Sequence, residues 1–349
     1  MSFSLAPRGM WLFLVAGAAA GQDIADADPL FASNGVVHVT IAAPIKQLMK
    51  DRPLDEYFSG TFSYQDEAGQ LVEFDIGLRT RGKYRRKVET CRFAPLRINF
   101  KKSQTKDTLF DKQDKLKLVT HCRNDSATYE QAVIAEYLAY RIYNTLTDIS
   151  FRARLLKVRY VDTDESGEED VSYGILVEDE DRLAKRIGVP RAKVAKLVGS
   201  NLDPDYSALG TLFQYFIGNT DFSQVETAPG ENCCHNHELF AHEGEKYLAV
   251  PYDFDMTGFV NAPHARPNPR FGLRSVRQRL YRGRCIHNDQ LDGAAKLFLD
   301  KRGAIEALVE TEAHLSNSVR KHQLRYIKSF YKEIESPRAR QKYLIDKCI

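Results

Sequence analysis

Beyond its first twenty or so residues the chain has no apolar run long enough to span a bilayer, which takes about 20 residues, so a transmembrane anchor in the mature protein is not expected. It also has little net charge. Lys and Arg together number 50 against 47 Asp and Glu, a formal charge of +3, and the two signs are mixed along the sequence. That balance argues against nucleic acid as the main partner. There is no internal repeat, which sets aside solenoids and propellers. Low-complexity sequence is confined to the first residues and to an acidic loop, Asp162 to Asp170.

What is present is a globular composition, 43% apolar. The first residues read as a cleavable secretory signal over 1–21. Arg8 precedes the apolar Trp11 to Ala16, and small residues follow through Gly21. The expected mature start lies between Ala20 and Asp23. About 325 residues then remain, enough for two lobes around real cores. Export makes disulfides the expected state of the six cysteines, Cys91, Cys122, Cys233, Cys234, Cys285 and Cys348. At least two bridges are expected. Cys233 and Cys234 should take different partners, one of them pinning the loop after Asp221.

Alternation predicts strands over Gly35 to Ile45, Phe62 to Tyr64, Leu71 to Arg81, Leu96 to Phe100, Leu116 to Val119, Ala153 to Val161 and Val171 to Val177. Among them Thr128 to Leu146 is the clearest helix, with Ile134, Leu138 and Ile142 at four-residue steps and a capping box of Thr128 with Gln131. After Val177 the pattern turns helical: Arg182 to Ile187, Ala208 to Ile217, Gly293 to Phe298, Gly303 to Leu315 and Ser316 to Ile334. A β-rich first half (35–178) therefore precedes a helical second half (179–349).

The stretch Ile217 to Gly258 carries the chemistry. An apolar run delivers the chain to Gly218-Asn219-Thr220-Asp221, and a long loop ends at Asn236. A hairpin follows, with His242 to Glu245 as its turn and Pro251-Tyr252-Asp253-Phe254-Asp255 at its end. Kinases use an Asp to orient the acceptor hydroxyl, an Asn before a hairpin to hold one metal, and an Asp after it to hold the metals that bridge the phosphates. Asp221, Asn236 and Asp253 stand in that order, and Asp255 is a second candidate metal ligand. Upstream, Arg79 to Lys87 sets six basic residues around Gly82, a pattern suited to polyphosphate, with Arg81 and Gly82 as candidate contacts. Lys117 lies on the strand face opposite Leu116 and Leu118, and Glu130 on the helix that follows could complete a Lys–Glu clamp.

Taken in order, the RTRG turn, the PLRINF and LKLV strands, YGILVEDEDRLAKRIG, GNTD, HN before the hairpin and PYDFDMTG resemble the spore-coat CotH kinase family, over roughly Leu78 to Gly258. The resemblance implies an α+β, two-lobed protein-kinase-like fold with a β-rich N-lobe and a mainly helical C-lobe. It also implies ATP and Mg2+ or Mn2+, and a protein or other hydroxyl acceptor. Asp221 would be catalytic, Asn236 with Asp253 or Asp255 would hold metal, and Leu176 to Asp179, including Glu178, would contact adenine. Lys117, Arg97 and Arg92 are alternatives for the basic residue that clamps the nucleotide. The Pro-Trp-Asp common in such proteins is here Pro251-Tyr252-Asp253. Two other classes stay open: a nucleotide-binding or other non-catalytic exported protein, and a zinc hydrolase built on Cys233-Cys234-His235-Asn236-His237.

Overall fold

The computed structural model describes residues 27–124, 126–164, 167, 169–227 and 231–349, so the expected leader lies outside the described residues. The first half contains β1 (Val37–Ala43), α1 (Ile45–Asp51), β2 (Phe58–Gln65), β3 (Leu71–Thr80), β4 (Leu96–Phe100), α2 (Lys102–Thr105), β5 (Lys115–Val119), α3 (Ala127–Leu146), β6 (Ala153–Asp162) and β7 (Glu169–Val177). The second half contains α4 (Glu180–Ile187), α5 (Pro204–Ile217), β8 (His237–His242), β9 (Lys246–Pro251), α6 (Leu291–Asp300), α7 (Arg302–Thr311), α8 (Asn317–Ile334) and α9 (Pro337–Tyr343).

The first seven strands close on themselves in the order β1-β2-β3-β4-β5-β7-β6. All neighbours are antiparallel except β6 and β1, which pair in parallel with Val39 opposite Val158 and close the ring. This corrects the expectation of a two-lobed protein-kinase-like fold: the β-rich half is a closed seven-stranded mixed barrel, accompanied by nine α-helices among the described residues. The strands were legible because alternation marks which residues face inward. Closure was not, because alternation names no partner, and a parallel pair needs a long crossover instead of a readable hairpin.

The barrel wall separates two cores. Phe62, Phe74, Phe100 and Phe110 fill the interior with Leu116, Leu118, Leu156, Val158 and Leu176. Phe62 packs edge to face on Phe110, with centroids 4.9 Å apart, and on Phe100. Val119, Leu155, Ile175 and Val177 point the other way, into a larger core shared with α3, α5 and the C-terminal helices. A wall buried on both faces explains why β6 and β7 read as near-continuous apolar runs.

Helix α3 lies on the outside of that wall, nearly all of it buried. The expected capping box is not formed. Ser126 is the N-cap, and the Gln131 side chain instead accepts from the Ser316 N–H at 2.6 Å and donates to the His314 carbonyl at 3.0 Å. A tie to the C-terminal half has displaced a local one.

Three disulfides join Cys91 to Cys122, Cys285 to Cys348 and Cys233 to Cys234. The last corrects the expectation that the adjacent cysteines take different partners: they bridge each other across a cis peptide and do not tie the loop to another element. No described helix is long and apolar enough to cross a membrane.

Candidate active site

Several chain segments meet outside the barrel wall around a cavity of about 560 Å³. Helix α5 ends at Gly218, whose φ of 65° lets its N–H close the last turn on the Gln214 and Tyr215 carbonyls. A Cβ there would collide with the Tyr326 hydroxyl. Asn219 then forms an Asx-type turn, its Oδ1 accepting from the Asp221 N–H at 2.8 Å while its Nδ2 is anchored on Gln214 at 2.9 Å. This holds the Asp221 carboxylate toward the cavity.

Asn236 stands just before β8 with φ 54°, and its Nδ2 donates to the Asp221 carbonyl at 2.6 Å and to Asp221 Oδ2 at 3.2 Å. The other Asp221 oxygen lies 3.0 Å from His235 Nε2. That hydrogen bond raises the His235 pKa, partly against burial. At the far end of the hairpin the Tyr252 N–H donates to the Asn236 carbonyl at 3.0 Å, which brings the two hairpin ends together. Asp253 follows with φ 63°, its N–H bound to the Tyr140 hydroxyl at 3.0 Å. Asp221, Asn236 and Asp253, far apart in sequence, thus line one cavity.

The two hairpin carboxylates differ in their surroundings. Burial and then the adjacent Asp255 charge push Asp253 up to about 6, in spite of Arg81 and Arg85. Burial acts the same way on Asp255, but the His264 hydrogen bond at 2.9 Å and the Arg85 guanidinium 3.6 Å away hold it below the ordinary carboxylate value. Asp255 is therefore the engaged, ionised member of the pair. Asp253 is the member whose negative charge lacks a strong partner.

A third acid, Glu136 of α3, lies against them. It is 2% exposed, and its Oε1 faces the Phe254 N–H at 3.4 Å. Burial, then the charges of Asp255 and Asp253, raise its pKa well above the usual value. The sequence reading missed Glu136, although a lone carboxylate amid Val133, Ile134, Ala135, Tyr137 and Leu138 was the available signal. It also passed over His235 as an Asp221 partner.

The basic side of the cavity comes from the loop after β3. Arg81, Gly82 and Arg85 line it, with Gly82 at φ 80°. Lys117 of β5 reaches it from the barrel wall, over the Tyr252 ring at 4.6 Å, but is ion-paired with Glu180. Although burial opposes it, that charge draws Glu180 down to about 2.

Several expected contacts fall elsewhere. Glu130 does not clamp Lys117; it sits 3.2 Å from Lys157, because the start of α3 faces β6 and not β5. Arg97 stands between Arg79 and Lys117 in the sheet register and does not line the cavity. Leu176 points into the barrel, as alternation from the outward-facing Val177 requires, so it is Val177 that meets the cavity. Glu178 is occupied by Arg186 at 2.8 and 2.9 Å and by the Arg152 N–H at 3.0 Å, which makes it a brace for α4. Arg92 lines a different cavity.

The cysteines of the expected zinc cluster are not free ligands. Cys233 and Cys234 are joined to each other, and burial lowers His237 to about 4 while its Nδ1 bonds the His235 carbonyl at 3.1 Å. Among the described residues a cluster of metal-ligand types does occur at Cys91, Cys122 and His264. Its sulfurs form a disulfide, and His264 Nε2 is taken by Asp255. Neither place offers a free thiolate.

No family model matches this chain, and no curated protein matches it.

Proposed function

We propose that the protein is an exported phosphotransferase of the CotH type, moving the γ-phosphoryl group of ATP to a hydroxyl acceptor with Mg2+ or Mn2+. The observation that carries this reading is the meeting of Asp221, Asn236 and Asp253 on one cavity that Arg81, Arg85 and Lys117 also line. The reading rests on that residue set and not on the fold. The three disulfides fit passage through an oxidising compartment.

The donor set suits a hard divalent cation. Asn236 spends its Nδ2 on Asp221, so its Oδ1 is the atom left to meet an ion. Asp253 is a half-buried carboxylate pushed up to about 6 by desolvation and by Asp255, a state that a cation would relieve. Asn236 and Asp253 would hold such a cation, which would supply charge neutralisation for the phosphates. Asp255, tied to His264 and Arg85, orients this group instead of joining it.

The remaining work falls to side chains. Arg81 and Arg85 take phosphate oxygens, and Lys117 is steadied by Glu180 in the role first expected of Glu130. Asp221, fixed by Asn219 and Asn236, accepts the proton of the acceptor hydroxyl. That oxygen bonds to the γ-phosphorus as the bond to the bridging oxygen of the departing diphosphate breaks. Val177 and Tyr252 give apolar surface for the base.

Purified protein incubated with γ-labelled ATP and Mn2+ should transfer label to itself or to an added hydroxyl acceptor, and Asp221→Asn should remove the label. Absence of nucleotide binding by the wild type would sink the proposal. Metal-dependent binding without transfer would favour the non-catalytic reading.

A further inference from the structure

A second cavity, of about 580 Å³, opens where β6 ends and β7 begins. The loop 81–95 lines both cavities, the first with Arg81 to Arg85 and this one with Arg92 and Phe93. Its floor is apolar: Ile45 and Met49 of α1, and the Phe93 and Tyr160 rings with centroids 4.7 Å apart.

Its polar atoms are unevenly served. Glu169 is neutralised by Arg159 at 2.8 Å, and Asp170 lies 3.0 Å from His121. Asp162 is 5% exposed; its Oδ1 accepts from the Lys46 N–H at 3.4 Å, but its Oδ2 has no hydrogen-bond partner among the described residues. The Tyr160 hydroxyl, on a side chain 1% exposed, likewise has none. Asp170 Oδ2, beside His121, and Arg123 Nε are without a hydrogen bond as well; leaving such groups unmade costs about 1–3 kcal/mol each, so their gathering in one cavity wall points to a ligand that completes them. On the other side stand Arg92 and Arg123, neither of which forms an ion pair among the described residues; Arg123 lies only near the Tyr129 ring, at 5.8 Å.

We propose that this cavity is a second binding site, for a small anionic polyol of the sugar-phosphate class, with its phosphate on Arg92 and Arg123 and its hydroxyls on Asp162 and Tyr160. A phosphate suits two guanidinium groups. A hydroxyl both donates and accepts, so it satisfies the Asp162 oxygen and the Tyr160 phenol alike. An ammonium could serve Asp162 but would bring a further cation beside the two arginines. The Phe93 ring and the aliphatic floor match the apolar face of a sugar ring, and the volume falls within the range of small-molecule sites.

Calorimetric titration of the full mature chain with glucose 6-phosphate, glucose and inorganic phosphate tests this. Glucose 6-phosphate should bind at least tenfold more tightly than either fragment. Arg92→Ala with Arg123→Ala should weaken it at least tenfold, and Asp162→Asn severalfold. Asp253→Asn, in the other cavity, should leave it unchanged. No binding of glucose 6-phosphate would overturn the proposal. Equal binding of phosphate alone would reduce the cavity to an anion site and overturn the polyol assignment. Binding lost in Asp253→Asn but kept in the arginine variant would move the ligand to the first cavity and refute the second site.

Discussion

The barrel interior and the cavity outside its wall are filled with opposite chemistry. Phe62, Phe74, Phe100 and Phe110 occupy the interior, each 2% exposed or less. Outside the wall, buried Glu136 and Asp255 and half-buried Asp253 and Arg85 form a seam where like charges face one another. Apolar residues would pack that seam more stably, since buried charges repay their desolvation only with excellent pairing. The interior is built for stability, and the seam holds charge that stability does not require. The same strands serve both: Leu116 and Leu118 look in, while Lys117 and Val119 look out.

The largest contrast is mutational. Phe62→Ala removes a fully buried ring in contact with three others and should cost about 3–5 kcal/mol of unfolding free energy, read by denaturant titration. A loss under 1 kcal/mol would mean that the interior is not a tight core.

Next comes a pH effect from the helical half. Burial lowers His237 to about 4, from 6.5 in the unfolded chain. Between those values the unfolded state takes up a proton that the folded state refuses. Stability contributed by the neutral imidazole is therefore complete above pH 6.5 and is lost as pH falls toward 4, by roughly 3 kcal/mol at most. The wild-type curve should show that slope and His237→Gln should flatten it; identical slopes would place the acid sensitivity elsewhere.

The smallest effect is expected in the seam. Burial, then the charges of Asp255 and Asp253, raise the Glu136 pKa, so the site disfavours its ionised form. Glu136→Gln keeps the shape and removes a disfavoured charge, so at neutral pH it should change stability by less than about 1 kcal/mol. A loss as large as that of Phe62→Ala would mean that the charge itself holds the seam together.

Much of this was legible and some was not, for identifiable reasons. The strands LRINF and KLKLV and the long helix were found within a residue of their bounds, because burial on one face writes its period into the sequence. The Asp221, Asn236 and Asp253 set was legible because Gly218, the hairpin and Pro251 fix where loops begin and end. Glu130 was preferred to Glu136 because it lay at the edge of the apolar stripe, where an isolated helix tolerates charge. Only the fold reveals that the other face of α3 meets the hairpin end. The closing β1–β6 pair and the mutual bridge of Cys233 and Cys234 depend on chain geometry that composition does not encode.

The central claim is that Asp221 and Asp253 share one cavity but divide the work. Calorimetric titration of ATP into wild type, Asp221→Asn and Asp253→Asn, with and without Mg2+, tests it most directly. Asp221→Asn should keep Mg-ATP affinity within about threefold, under 1 kcal/mol. Asp253→Asn should lose tenfold or more of the Mg2+-dependent part, at least about 1.4 kcal/mol. Wild-type affinity indifferent to Mg2+, or the same affinity in all three proteins, would contradict the account.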